Sequence, residues 1–244
     1  PPFPTRRSSV LDDGVTGGGG NDRIYGGAGQ DQLYGGDGND LIDGGGQYDL
    51  IYGGNGNDVV LGGGIAYGEG GNDMLSGSEE RDILIGGDGN DTIQGGNGAD
   101  FLRGGNGTDT IYGGGDDTAN FDYTDELWGD AGKDFLHGGV GRDVFVYWTE
   151  SESVPGAATR DVIYGFTQGA DDISLPVDAD TVTPDFQDFV FIGMDGFSGG
   201  AGEVRYDVVD GNTFVTADMN GDRVADFEIE LAGEINLTAS DFLL

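Results

Sequence analysis

The sequence predicts an all-β protein: a stack of very short strands over residues 17–146, followed by a smaller, mainly antiparallel β cap over 147–244. Three observations predict it. A nine-residue phrase recurs through 17–146, the eighth position of every copy is apolar, and beyond Val146 the phrase gives way to alternating stretches. A fixed short period points to a stacked architecture in which each unit covers its neighbour's apolar side.

The clearest copy is GGDGNDLID (35–43). GGGGNDRIY (17–25) and GGAGQDQLY (26–34) precede it, and GGGQYDLIY (44–52) and GGNGNDVVL (53–61) follow. A second run reads GSEERDILI (77–85), GGDGNDTIQ (86–94), GGNGADFLR (95–103) and GGNGTDTIY (104–112). GDAGKDFLH (129–137) and GGVGRDVFV (138–146) close the array. GGGIAYGEGGNDMLS (62–76) and GGGDDTANFDYTDELW (113–128) fit as copies with six and seven extra residues in the turn half, giving thirteen copies that fill 17–146.

In the consensus GGxGxDxUx, with U apolar, the glycines permit positive φ and close backbone approach, as a tight loop around an ion requires. The last three residues make a short strand whose middle side chain points inward. That inward set is Ile24, Leu33, Ile42, Ile51, Val60, Leu75, Leu84, Ile93, Leu102, Ile111, Leu127, Leu136 and Phe145, every member apolar. The sixth position is always aspartate: Asp22, Asp31, Asp40, Asp49, Asp58, Asp73, Asp82, Asp91, Asp100, Asp109, Asp125, Asp134 and Asp143. A carboxylate is a hard oxygen donor suited to calcium, and neighbouring backbone carbonyls supply further ligands. One aspartate in a Gly-rich loop reads as a solvated turn residue. Thirteen in phase with an apolar comb read as metal ligands, and this phrase is a known calcium-binding repeat.

One buried Ile or Leu per repeat contributes roughly 1.5–3 kcal/mol, whereas each ordered residue costs about 1–2 kcal/mol of backbone entropy. The array alone is marginal, and its carboxylates repel one another. With a dissociation constant of about 0.1 mM and about 1 mM free calcium, each filled site stabilises by roughly 1.4 kcal/mol. Calcium is therefore expected to be part of the fold.

Residues 17–146 resemble the RTX (repeats-in-toxin), haemolysin-type calcium-binding family. The resemblance implies a right-handed parallel β-roll in which two nonapeptides make one turn and each calcium ion sits between a loop and the loop two repeats later. It implies that the thirteen aspartates are the ligands, with their loops alternating between two edges, seven and six. Gln47 replaces the fourth-position glycine, Ser78 and Glu80 interrupt GSEERD (77–82), and two loops are expanded, so sites touching these copies are the weaker ones.

The 244 residues include 52 Gly and 46 acidic residues against 10 basic ones, a formal charge of −36. Like charges repel, which disfavours nucleic acid, anionic membranes and polyanionic polysaccharides as partners and favours cations. The apolar comb and the aromatics oppose the disorder that an acidic, Gly-rich composition otherwise implies. There is no cysteine, and no apolar run reaches the length of a membrane-spanning helix.

Residues 1–16, opening PPFPTRRSSV, lack the apolar core of a secretory signal and are expected to be a disordered, non-native or boundary segment outside the array. The array's abrupt start implies a missing N-terminal portion to cover its first turn. The acidic, aromatic insertion within 113–128 reads as a decorated turn, and His137, the only histidine, as an exposed strand residue. RDVIYGFTQGADDISL (160–175) gives two short apolar segments around a turn, and resembles the segment closing the roll in serralysin-type secreted metalloproteases. FVFIG (189–193), EVRYDVV (203–209), NTFVTADM (212–219) and ADFEIELAG (225–233) read as antiparallel strands. DMNGDRVAD (218–226) has the spacing of an EF-hand start, but Arg223 stands at its sixth position and Ile229 at its twelfth. Asn220-Gly221 is read as a hairpin turn instead.

The chain ends Asp241-Phe242-Leu243-Leu244, which resembles the C-terminal signal of metalloproteases exported by type I secretion. The resemblance implies the type I secretion machinery as a partner and an extracellular location. The expected function is a calcium-binding, calcium-folded export and stability module, the C-terminal fragment of a larger secreted bacterial protein. Two alternatives stand beside it: the non-catalytic part of a serralysin-like zinc metalloprotease, and a calcium-dependent adhesin or polysaccharide-binding module, as in alginate epimerases. A HExxH-type zinc site needs more than one histidine, and neither a Gly-x-Ser-x-Gly elbow nor a cysteine nucleophile is expected to offer another route, so no catalytic site is expected.

Overall fold

The computed structural model describes residues 5–7 as backbone, and 12–115, 124–175 and 188–243 in full. Its regular structure is β, with one 3-10 turn, Ala239–Asp241, among the described residues. Consecutive strands alternate between two sheets. The first holds Arg23–Ala28, Leu41–Gly46, Val59–Leu61, Met74–Ser76, Thr92–Gly96, Thr110–Gly115, Phe135–Val140 and Val162–Tyr164. The second holds Gly14–Gly19, Gln32–Asp37, Asp49–Asn55, Gly64–Gly70, Ile83–Asp88, Phe101–Gly107, Glu126–Gly132, Val144–Val146 and Asp172–Ser174. Neighbours within this part of each sheet are parallel, so the chain winds as a β-roll, one strand per sheet per turn.

Equivalent positions stack in register. Ile24, Ile42, Val60, Leu75, Ile93, Ile111, Leu136 and Ile163 line one sheet. All thirteen members of the predicted comb are at most 1 % exposed. A side chain buried this completely contributes about 1.5–3 kcal/mol, and the roll and cap share one continuous apolar core.

The stretch 62–76 holds two strands where the sequence reading placed one copy with a loop insertion. Gly64–Gly70 pairs with Asp49–Asn55 on one side and Ile83–Asp88 on the other, and Ala66 joins the comb. GGGIAY is thus a shortened copy that keeps its strand and drops most of its turn; Gly64 aligns with Asp49, where other copies carry aspartate. The additional half-turn exchanges the edges of all later loops. One edge carries Asp22, Asp40, Asp58, Asp73, Asp91, Asp109 and Asp134, the other Asp31, Asp49, Asp82, Asp100, Asp125 and Asp143.

The ladder also extends past both expected limits of the array. Thr5–Arg7 pairs with Arg23–Tyr25, and Gly14–Gly19 with Gln32–Asp37, inside the segment expected to be disordered. Beyond Val146, Val162–Tyr164 and Asp172–Ser174 add one more strand to each sheet, and Phe242–Leu243 pairs with the second of these. Glu203–Val209, Asn212–Asp218 and Phe227–Leu231 form the antiparallel part of the cap, with Asn220-Gly221 in the connection of the last two. Val190–Phe191 departs from expectation by pairing parallel to Glu203–Val209. Arg160 fastens the cap by ion pairs to Glu228 (2.8 Å) and Glu230 (2.7 Å).

In-register parallel strands set like side chains about 4.8 Å apart, so outward aromatics at the ninth position stack on each other. Tyr34, Tyr52 and Tyr67 form one such row, with ring centroids 5.1 and 5.0 Å apart. His137 lies between Tyr112 (4.5 Å) and Tyr164 (4.6 Å), half-buried rather than exposed as expected.

Candidate calcium loops

Each sixth-position aspartate sits at the end of a glycine turn and immediately before a strand, so the buried x-U-x triplet fixes its depth and direction. All thirteen are at most 3 % exposed. Apart from that of Asp22, their Oδ1 atoms accept in two rows of hydrogen bonds running along the edges of the roll. On the first edge the N–H of Asp22 donates to Asp40 (2.7 Å), Asp40 to Asp58 (2.7 Å), Asp58 to Asp73 (2.7 Å), Asp73 to Asp91 (2.8 Å), Asp91 to Asp109 (2.7 Å) and Asp109 to Asp134 (2.8 Å). On the second edge Asp31 donates to Asp49 (2.9 Å), Gly64 to Asp82, Asp82 to Asp100 (2.8 Å), Asp100 to Asp125 (2.8 Å) and Asp125 to Asp143 (3.4 Å).

The other oxygen is treated differently. In Asp31, Asp40, Asp49, Asp58, Asp73, Asp91, Asp109 and Asp134, Oδ2 is buried and accepts no hydrogen bond. It lies against the first glycine of its own loop: a Cβ on Gly35 would collide with Asp40 Oδ2, and one on Gly86 with Asp91 Oδ2. Glycine at the second position serves the turn itself. Gly36 has φ +113°, and a Cβ there would strike the carbonyl oxygen of Gly18 in the preceding turn.

Burial without a donor makes the charged form costly. It lifts the carboxyls of Asp49 and Asp73 to about 6, of Asp58 and Asp109 to about 7, and of Asp134 to about 8. Asp40 and Asp91 move in the same direction, and burial raises Asp82 as well against the donors it accepts from Gly64 and Ser78. Loss of water is the largest cause throughout; the accepted N–H bonds oppose it, and neighbouring acids add to it. An oxygen-binding cation would relieve this penalty. Among the described residues no three acidic, histidine or cysteine side chains converge on one point. Each loop therefore offers one carboxylate plus backbone carbonyls, an all-oxygen set that suits calcium and not zinc.

The family model for the RTX calcium-binding nonapeptide repeat (4 copies) matches residues 16–51, 34–64, 67–102, 85–118 and 121–146, more than half of the chain. The chain belongs to this RTX family. RTX nonapeptides bind several calcium ions, and the buried oxygens described above fit that chemistry. Solved structures similar to the chain include two subunits of the Azotobacter vinelandii mannuronan C5-epimerase. AlgE6R3 is 20% identical over 97% of this chain and 80% of its own, with TM-score 0.32. AlgE6R2 is 26% identical over 70% and 90%, with TM-score 0.38. The extracellular lipase LipA from Serratia marcescens is 14% identical over 99% and 40%, with TM-score 0.25. No curated protein sequence matches.

The RTX phrase alone misses three aspartates that occupy the same rows. Asp13 donates to Asp31 Oδ1 (2.8 Å), Asp161 Oδ1 accepts from Asp134 (2.8 Å), and Asp171 Oδ1 accepts from Asp143 (3.0 Å). Their signal was the tail D-x-U-x with the glycines incomplete: Asp13-Gly14-Val15-Thr16, Asp161-Val162-Ile163-Tyr164 with Gly156 alone at the first position, and Asp171-Asp172-Ile173-Ser174 with Gly169 alone at the fourth. Of the departures, Gln47 takes the left-handed conformation of the glycine it replaces (φ +79°), and Asp49 keeps its place in the row. The core of the insertion in 113–128, residues 116–123, lies outside the described residues, as does Leu244.

Two further motifs resolve into local structure. In 218–226 the N–H groups of Gly221 (2.7 Å) and Arg223 (2.8 Å) donate to the two carboxylate oxygens of Asp218, so the EF-hand-like acids are used by the turn itself. Contrary to the expectation that no such motif is present, GFSGG (196–200) has the spacing Gly-x-Ser-x-Gly. Ser198 Oγ donates to Glu203, no helix follows it, and His137 is stacked between tyrosines, so the nucleophile–base pair of such an elbow is not assembled. No helix among the described residues is long and apolar enough to cross a membrane.

Proposed function

We propose that the aspartate rows hold calcium and that this binding folds and stabilises the roll as a module of a secreted protein. The observation that carries the reading is the set of buried Oδ2 atoms that face glycine and accept no donor. The residues proposed as calcium ligands are Asp22, Asp31, Asp40, Asp49, Asp58, Asp73, Asp91, Asp100, Asp109, Asp125, Asp134 and Asp143. Without the ion the chain keeps rows of buried, mutually repelling carboxylates; with it, each site links successive turns of one edge.

The coupling also suits export. At low intracellular calcium the repeats stay unfolded and threadable, and millimolar calcium outside the cell folds them. The resemblance of segment 160–175 to serralysin-type secreted metalloproteases supports type I secretion as the route. The polysaccharide-binding reading has less support, because the outer rings of Tyr34, Tyr52 and Tyr67 spend their faces on one another.

The test is a calcium titration followed by far-UV circular dichroism, with magnesium as control. A cooperative gain of β signal between sub-millimolar and millimolar calcium, absent with magnesium, is the expected result. An unchanged spectrum with no bound calcium overturns the proposal.

A further inference from the structure

The second position of the phrase has positive φ along the roll: Gly27 (+104°), Gly54 (+112°) and Gly105 (+112°), and also the non-glycines Glu69 (+74°) and Asp130 (+65°). Ser78 is an exception, without the positive φ of these positions. Its N–H donates to Asp82 Oδ2 at 2.7 Å and its hydroxyl donates to the same oxygen at 3.1 Å, while Oδ1 accepts the N–H of Gly64. A second loop beyond the nonapeptides repeats the backbone part of the arrangement, the Thr167 hydroxyl donating instead to the Gly165 carbonyl (3.3 Å). The N–H of Thr167 donates to Asp171 Oδ2 at 2.7 Å, and Oδ1 accepts from Asp143 at 3.0 Å.

Resting on the calcium reading above, we infer that an inward backbone N–H four residues before the row aspartate, joined at Asp82 by the Ser78 hydroxyl, takes the place of the ion, so that Asp82 and Asp171 are ion-free members of rows that elsewhere hold calcium. Both oxygens of these two carboxylates already accept donors, and an inward N–H presents positive charge where a cation would sit. The open loops do the reverse, leaving Oδ2 of Asp73, Asp91 and Asp109 without a donor.

The position of Asp82 explains why the exchange occurs there. The shortened copy 62–67 has no loop of its own, so loops 44–49 and 77–82 face each other across a notch of about 690 Å³ lined by Gln47, Tyr48, Gly63, Gly64 and Ser78–Arg81. At this break the preceding turn offers an ion at Asp82 fewer oxygens than a full loop does, so the donors of Ser78 displace it most easily there. The hydroxyl cap closes the roll at this break, and divides the calcium array of the second edge into a run before Gly64 and a run after Asp82. The array of the first edge passes the same level unbroken, through Asp58, Asp73 and Asp91.

The experiment counts calcium bound by the full chain at saturation, by equilibrium dialysis, for the wild type, Asp91→Asn, Asp82→Asn and the double variant Ser78→Gly/Glu80→Gly. The wild type binds calcium, Asp91→Asn binds fewer ions, and Asp82→Asn binds the wild-type number while melting at a lower temperature in chelator. The double variant restores the GGxGxD phrase and gains bound calcium. An Asp82→Asn loss equal to that of Asp91→Asn overturns the inference; if that variant does not fold, an unchanged count in the double variant overturns it. A wild type that binds no calcium fails the proposed function itself, a distinguishable result.

Discussion

The backbone N–H of Asp73 donates to Asp91 Oδ1 at 2.8 Å, while Asp91 Oδ2 is buried in its own loop with no donor. One side chain therefore ties successive turns of an edge together and leaves half a carboxylate for a cation. Asp91→Ala removes both functions. It is expected to lose about 1–3 kcal/mol even at saturating calcium, because the Asp73 N–H is left buried and unpaired. Asp91→Asn keeps the acceptor and is expected to lose stability chiefly in the calcium-dependent part. Urea unfolding of both variants with calcium and with chelator separates the two contributions.

Gly36 and Gly46 give a contrast within one kind of residue. A Cβ on Gly36 meets the Gly18 carbonyl at φ +113°, whereas one on Gly46 has nothing within 4 Å and an ordinary φ. Gly36→Ala is expected to destabilise by about 1–3 kcal/mol or more, and Gly46→Ala by no more than about 0.5 kcal/mol. Denaturant midpoints in saturating calcium decide it.

Leu84 lies in register between Ala66 and Leu102. Ala66 is too small to fill the space that Leu84→Ala would open. The variant is expected to lose about 2–5 kcal/mol, towards the upper end of that range. Thermal unfolding at fixed calcium checks it.

His137 is held between Tyr112 and Tyr164, and loss of water lowers its pKa below the ordinary value. A base with a depressed folded pKa favours the folded state while neutral. Its contribution is complete above the unfolded value of about 6.5 and is lost as pH falls from there through the folded value. As the only histidine it gives one imidazole titration curve by NMR, expected below that of a free histidine and shifted back towards it in Tyr164→Ala.

Much of the roll is legible because a nine-residue period carries its own explanation. Glycines at the first, second and fourth positions, one aspartate and one inward apolar residue state the turn, the ligand and the core, and Ile24 through Phe145 are buried as the phrase requires. The rest is illegible to the phrase for physical reasons. Ala66 is a weak apolar signal without a glycine turn of its own, yet in register between Ile51 and Leu84 it adds half a turn and moves every later aspartate to the opposite edge. Asp13, Asp161 and Asp171 lack the full set of glycines but inherit the row, because a parallel ladder offers the same N–H to whatever carboxylate arrives next.

The sequence by itself determined the repeat, the apolar comb, the acid at each turn and, through these, a calcium-binding β-roll. Those are local properties, decided by which side chain occupies which place in a nine-residue unit. Only the tertiary structure decided which aspartates share an edge, where the ladder continues past the repeats, and which carboxylate oxygens are left open or closed by a hydroxyl. Those properties belong to the stacking of one turn on another, where a single shortened unit shifts everything that follows it.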